Sequence, residues 1–95
     1  MFIVFLKFAE NKANASQFMD GHKEWLRRGF DEDVFLMAGS LSTNSGGCIL
    51  VHNTNLTELN DRVAMDPFVV EGVALAEFVE VDPSRVDERL RFLMN

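Results

Sequence analysis

The sequence is poor in cysteine and in positive charge, and each shortage excludes a class of protein. The single cysteine, Cys48, cannot form a disulfide within the chain, so the fold does not rest on the disulfide framework of small secreted domains. We therefore expect a reducing, cytoplasmic setting. Nine Lys and Arg stand against fifteen Asp and Glu, which gives a net charge of −6. Because the basic residues form no stripe that could follow a phosphate backbone, we do not expect nucleic acid as a partner.

Long hydrophobic runs, repeats and linkers are also missing. The apolar opening, residues 2–8, is far too short to span a bilayer and has no basic segment before it, so neither a membrane anchor nor a secretion signal is predicted. The 95 residues are 47% hydrophobic and include nine phenylalanines, which is typical of a globular domain. We assign residues 1–95 to one domain.

Hydrophobic periodicity predicts the element order β-α-β-β-α-β. Continuous or alternating apolar runs indicate strands, and apolar residues at helical spacing indicate helices. Gly29 is expected to end the first helix and Pro67 the second, with Asn55 or Thr57 as caps for the second. The predicted strands are Phe2–Phe8, Val34–Leu41, Gly47–His52 and Val73–Val81, and the predicted helices are Asn14–Gly29 and Leu56–Met65.

The C-terminal residues predict one more helix. Asp82 and Pro83 provide an N-cap and a first-turn proline, and Val86, Leu90 and Leu93 recur at helical spacing after them.

This order predicts an α+β, ferredoxin-like fold with a four-stranded antiparallel sheet. Two helices can cover one face of the sheet only, yet three of the strands are apolar on both faces. We therefore expect a homodimer, a dimeric α+β barrel packed sheet against sheet, with the C-terminal helix reaching toward the partner. Glu77 lies among apolar residues of the last strand and is expected either to pair with an arginine or to lie at the dimer seam.

His22 and Asp66 are the residues whose chemistry is hardest to assign from the sequence. His22 falls on the apolar stripe of the first helix, between Phe18 and Trp25. Its position alone favours a hydrogen-bonded core histidine, although an imidazole facing a cleft exchanges protons near neutral pH. Asp66 is either a turn residue before proline or the carboxylate that orients this histidine. A metal site built from His22, His52, Cys48 and Asp66 is not expected, because no two of them have ligand spacing.

Several of these segments occur together in one known family. The chain resembles the YciI-like family (YCII-related domain), small dimeric α+β barrel proteins, over residues 1 to about 81. The matching features are the first strand, the helix motif His22-x-x-Trp25-Leu26, the strand motif Met37–Leu41, Gly46-Gly47, and Asp66-Pro67-Phe68-Val69 followed by Gly72.

The resemblance implies a His-Asp active site, with His22 as general acid or base and Asp66 holding its tautomer. It also relates the chain to muconolactone isomerases and dechlorinating enzymes, which implies acid-base chemistry on a small organic molecule. In this hypothesis Trp25, Ser40 and Phe68 shape a small substrate pocket, and neither metal nor cofactor is required.

Two departures from the family and two alternative functions stay open. The segment Asp82–Asn95 is longer and more charged than the family's ending, and Lys23-Glu24 beside the histidine leaves the charge of the pocket entrance undecided. One alternative is a non-catalytic dimer that binds a small ligand or a protein, with a structural hydrogen bond between His22 and Asp66. The other is a heme or cofactor-free monooxygenase of the same barrel type, which ranks lower because no redox constellation is visible.

Overall fold

The computed structural model describes residues 1–94 and contains all four predicted strands and both predicted helices, with ends shifted by one or two residues in most cases. Asn55 caps the second helix by accepting the Glu58 N–H at 2.9 Å. Among residues 1–94, no helix has the length and apolar character needed to cross a membrane. The strands are β1 (Phe2–Phe8), β2 (Phe35–Ser40), β3 (Gly46–Val51) and β4 (Ala74–Glu80); the helices are α1 (Ala15–Asp31), α2 (Leu56–Val63) and a short α3 (Pro67–Val70).

The four strands form one antiparallel sheet in the order β2-β3-β1-β4. This is the strand order of the ferredoxin-like fold, so the predicted α+β class is confirmed. The central strand β1 alternates: Phe2, Val4 and Leu6 are buried, and they pack in one cluster with Trp25 of α1 and Leu59 of α2. The helices therefore cover the face of the sheet to which Phe2, Val4 and Leu6 belong.

The opposite side of the sheet, which we call the uncovered face, is apolar as predicted. By register it carries Ile3, Phe5, Met37, Leu50, Leu75 and Val79, with Lys7 and Glu77 between them. In the single chain Leu75 is 67% exposed and Val79 44% exposed. Glu77 pairs with Lys7 at 2.9 Å, a lysine and not the arginine considered from the sequence.

Gly29 does not end the first helix, which continues to Asp31. The residue is buried, and a Cβ atom built on it would overlap the Phe35 ring. Glycine is thus required there for the close approach of α1 to β2 and not for a left-handed cap. The prediction was wrong because a glycine that ends a helix and a glycine that permits close packing look the same in the sequence.

The predicted C-terminal helix is present only as a shorter 3-10 segment, Glu88–Met94. No helix begins at Asp82-Pro83, contrary to expectation. None of residues 88–94 is buried, and a short helix that buries no apolar face is marginal in water.

The Asp-Pro signature acts instead at Asp66-Pro67. There the aspartate side chain caps α3 by accepting the Phe68 N–H at 3.1 Å, and Pro67 occupies the first helical position. Pro67 therefore stops α2 and also starts α3.

Candidate active site

Asp66 is fixed in the interior by the turn between α2 and α3. Its side chain is fully buried, with 0% relative exposure. The backbone holds it in place, because its N–H donates to the Val63 carbonyl at 3.1 Å and its carbonyl accepts from Val69 and Val70. Local chain geometry therefore places a carboxylate under the helix layer, where its charge needs a partner.

His22 provides that partner from the middle of α1. Its Nδ1 lies 2.8 Å from Asp66 Oδ1, and its side chain is 13% exposed. A carboxylate accepts hydrogen bonds, so Nδ1 carries the hydrogen in this pair and Nε2 is left for a ligand. The structure brings together the two residues selected from the sequence, in a geometry suited to general acid or base chemistry.

Aromatic packing holds the imidazole ring in this orientation. The Phe68 ring stacks on it with centroids 4.1 Å apart and planes at 3°, and the Trp25 ring lies 5.9 Å away at 25°. The Trp25 indole N–H donates to the Arg62 carbonyl at 2.9 Å, which ties the tryptophan to α2. A ring held by its neighbours keeps its reacting nitrogen in one direction.

The second carboxylate oxygen of Asp66 has a different environment. Oδ2 is buried and has no hydrogen-bond partner within residues 1–94. The carboxylate is therefore compensated through Oδ1 alone, by His22 and by the Phe68 N–H. Removal of His22 would leave a buried carboxylate with one backbone hydrogen bond, so the pair is important to the structure as well as to any chemistry.

A cavity of about 260 Å³ adjoins the histidine. The polar residues of its lining are His22, Lys23, Ser40 and Cys48, and the other lining residues are apolar or glycine. Of the three residues predicted to bind substrate, Ser40 and Phe68 belong to the lining of this cavity, whereas Trp25 contacts the His22 ring from outside the lining. The lining residues are Leu6, Phe8, Met19, His22, Lys23, Leu26, Ala38, Gly39, Ser40, Gly46, Gly47, Cys48, Ile49 and Phe68.

Several wall residues of the cavity were not predicted from the sequence. Met19 and Leu26 lie three residues before and four after His22, so helical spacing alone could have found them. Leu6 and Gly47 come from β1 and β3 and meet as a register pair. No local pattern indicates that pair, because strand register is a tertiary property.

Of the two other residues considered for a metal site, Cys48 belongs to the cavity lining and His52 does not. His52 follows β3 at the opposite end of the sheet, where its ring packs against Phe92 at 5.5 Å. Among residues 1–94 no group of three or more His, Cys, Asp or Glu side chains is arranged to hold a metal ion.

Comparison with known proteins gives a relation in fold. No family model matches the chain, and no curated protein matches it significantly. A similar solved structure is 5-chloro-2-hydroxyhydroquinone dehydrochlorinase (TftG) from Burkholderia phenoliruptrix AC1100, in complex with 2,5-dihydroxybenzoquinone. The TM-score is 0.68 at 12% identity, over 85% of this chain and 93% of that one. Identity this low supports a shared fold alone.

Proposed function

We propose that the protein is an enzyme that uses the His22-Asp66 pair for proton transfer on a small organic molecule. The observation that carries this proposal is the 2.8 Å contact between His22 Nδ1 and Asp66 Oδ1, with the histidine in a cavity wall. A carboxylate that fixes the tautomer also stabilises the imidazolium formed when Nε2 takes a proton. The pair needs no further group in order to act as general base and then as general acid.

The reaction class that fits is isomerisation or elimination. In an isomerisation, Nε2 would remove a proton from an activated carbon of the substrate and return it at a conjugated position. In a dehydrochlorination, the same base would take the proton while chloride leaves with the bonding electron pair, so no oxidant or reductant is needed. The apolar walls, including Phe68, suit a flat ring or lactone, and the Ser40 hydroxyl is available to hydrogen-bond its oxygens.

The similar fold of a dehydrochlorinase supports this choice of substrate class without establishing it. That protein was solved with a dihydroxybenzoquinone bound, a molecule whose flat ring and oxygen substituents match the character of the cavity beside His22. We therefore include chlorinated hydroxyhydroquinones and muconolactone-type lactones as candidate substrates.

Homodimerisation through the uncovered face is part of the proposal. The helices leave this side of the sheet open, and its apolar side chains on all four strands resemble the interior of a domain. A second copy supplies the same patch, which meets the self-complementarity of a twofold interface.

A non-catalytic ligand-binding module is the second candidate function, and one observation favours it. Asp66 also caps α3, so its hydrogen bond to His22 would be kept for structural reasons even in a protein without activity. The two candidates differ in turnover and not in binding.

The test is conversion of 5-chloro-2-hydroxyhydroquinone and of muconolactone, followed by chromatography of the products. For the compound that the wild type converts, we expect His22→Gln to reduce the rate of conversion by about 10²- to 10⁴-fold, the usual contribution of a general acid or base. His52→Gln, which changes the histidine outside the cavity, should keep the wild-type rate. Binding of these compounds to the wild type without turnover would favour the ligand-binding module, and equal rates in wild type and His22→Gln would contradict the proposed mechanism.

A further inference from the structure

The acidic character of the chain is not shared by the cavity beside His22. The protein carries a net charge of −6, yet no Asp or Glu is among the residues that line the cavity. The only basic side chains in the lining are His22 and Lys23, on consecutive positions of α1. A largely apolar cavity lined by one lysine ammonium and no carboxylate favours negative charge on the part of its occupant that lies beside that lysine.

Glu24 is the residue that could have neutralised this entrance, and the structure places its charge elsewhere. Its carboxylate is bound by Arg27. Nε of Arg27 donates to Glu24 Oε2 at 2.9 Å, and Nη2 donates to Glu24 Oε1. This side-chain hydrogen bond to Arg27 lowers the pKa of Glu24 below its usual value. Glu24 is thus committed to a partner one turn further along the helix.

Lys23 has no such partner. Within residues 1–94 no carboxylate oxygen lies within 4.0 Å of its ammonium nitrogen, whereas Lys7 pairs with Glu77 on the uncovered face. An unpaired lysine at the rim of an apolar cavity is available to a ligand.

We propose that Lys23 determines specificity by binding an anionic oxygen of the substrate, such as a carboxylate or a ring enolate. This inference rests on the proposed function, because it names the substrate class of the same cavity. The flat apolar part of the molecule packs against the cavity walls, its negative oxygen meets the Lys23 ammonium, and the atom that exchanges a proton faces His22. Lys23 positions the substrate and takes no part in the transfer of the proton.

The experiment compares two probes of nearly the same shape, benzoate and benzamide, by NMR titration of the full chain. We expect the wild type to bind benzoate more tightly than benzamide. Lys23→Gln should lower the affinity for benzoate about three- to tenfold, the range for a partly exposed charged contact. The affinity for benzamide should stay the same. Lys23→Arg should restore benzoate binding. Arg28→Gln is the matched control, since Arg28 is exposed on the same helix, lies outside the cavity lining and forms no ion pair within residues 1–94.

Benzoate binding should also weaken with added salt, and benzamide binding should not. Equal affinities for the two probes in the wild type, or an equal loss of benzoate affinity in Lys23→Gln and Arg28→Gln, would overturn the inference. The titration measures the binding of a non-reacting probe, whereas the test of the proposed function measures turnover, so either one can fail without the other. His22-dependent turnover could persist while the role of Lys23 fails, and an anion preference could hold in a protein with no turnover.

Discussion

Asp66 accepts two hydrogen bonds through one oxygen, one from a neighbouring residue and one from a distant helix. The bond from the Phe68 N–H is local and starts α3, while the bond from His22 crosses 44 positions of sequence. The aspartate is therefore both a helix cap and the partner of a candidate catalytic base. Its structural role predicts a stability effect that is independent of any activity.

Asp66→Ala should lower the free energy of unfolding by about 2 to 4 kcal/mol, because it removes an N-cap and leaves two buried donors unpaired. Asp66→Asn should cost less, about 1 to 2 kcal/mol, because the amide oxygen can still accept both hydrogen bonds while the NH2 group takes the buried position of Oδ2, which has no partner within residues 1–94. Urea denaturation of the three proteins measures the difference. Equal losses in the two variants would show that the oxygen makes no contribution as an acceptor.

Among the secondary-structure elements, the same Asp-Pro pair has different effects at two positions of the chain. An Asp-Pro pair starts a helix at Asp66-Pro67 and starts none at Asp82-Pro83. The difference lies in the residues after each proline, since α3 buries Phe68 whereas residues 84–87, which follow Pro83, include no buried side chain. Caps bias a helix, and burial of an apolar side chain decides whether it forms.

Gly29 shows the same dependence on packing and gives a prediction. Gly29→Ala should destabilise the fold by a net amount of about 1 kcal/mol or more. The methyl group would displace the Phe35 ring, at a cost of about 1 to 3 kcal/mol, which exceeds the gain of about 1 kcal/mol from helix propensity at most positions. Urea denaturation measures the change, with Gln17→Ala on the exposed side of α1 as the control.

The packing explanation has its own check in a double-mutant cycle. In a Phe35→Leu background the smaller side chain leaves room, so Gly29→Ala should cost less than it does in the wild type. An unchanged cost would mean that the ring is not the obstacle.

At the scale of the whole molecule, one face of the sheet is closed by helices and the other is not. The covered face buries Phe2, Val4 and Leu6. The uncovered face carries the Lys7-Glu77 ion pair among its apolar side chains. An open apolar face of this kind is what the proposed homodimer would bury.

Leu75→Lys should therefore weaken association. The wild type is expected to sediment at twice the mass of the chain. The variant should have a dimer dissociation constant higher by about 100-fold or more, because a twofold interface loses two buried leucines. Val70→Lys is the matched control: Val70 is 61% exposed and lies in α3, away from the uncovered face. A wild type that sediments as one chain at micromolar concentration would contradict the dimer.

Much of the fold could be predicted because its signals are local. Strand β1 was predicted with the same ends that it has, and the order of the strands and main helices was correct, since alternation and helical spacing depend on near neighbours. The ends of helices were less predictable. Glycine and proline mark a turn, a close approach or a helix start equally well, so the role predicted for Gly29 was wrong and the role predicted for Pro67 was incomplete.

By itself the sequence determined the element order, the two apolar faces of the sheet and a histidine on a buried helical stripe. Only the tertiary structure decided that His22 meets Asp66 at 2.8 Å, that Trp25 is outside the cavity lining, and that Lys23 lines the cavity while Glu24 is held by Arg27. The physical reason is that periodicity fixes which side of an element a residue occupies. Distances between residues on different elements depend on how the whole chain packs.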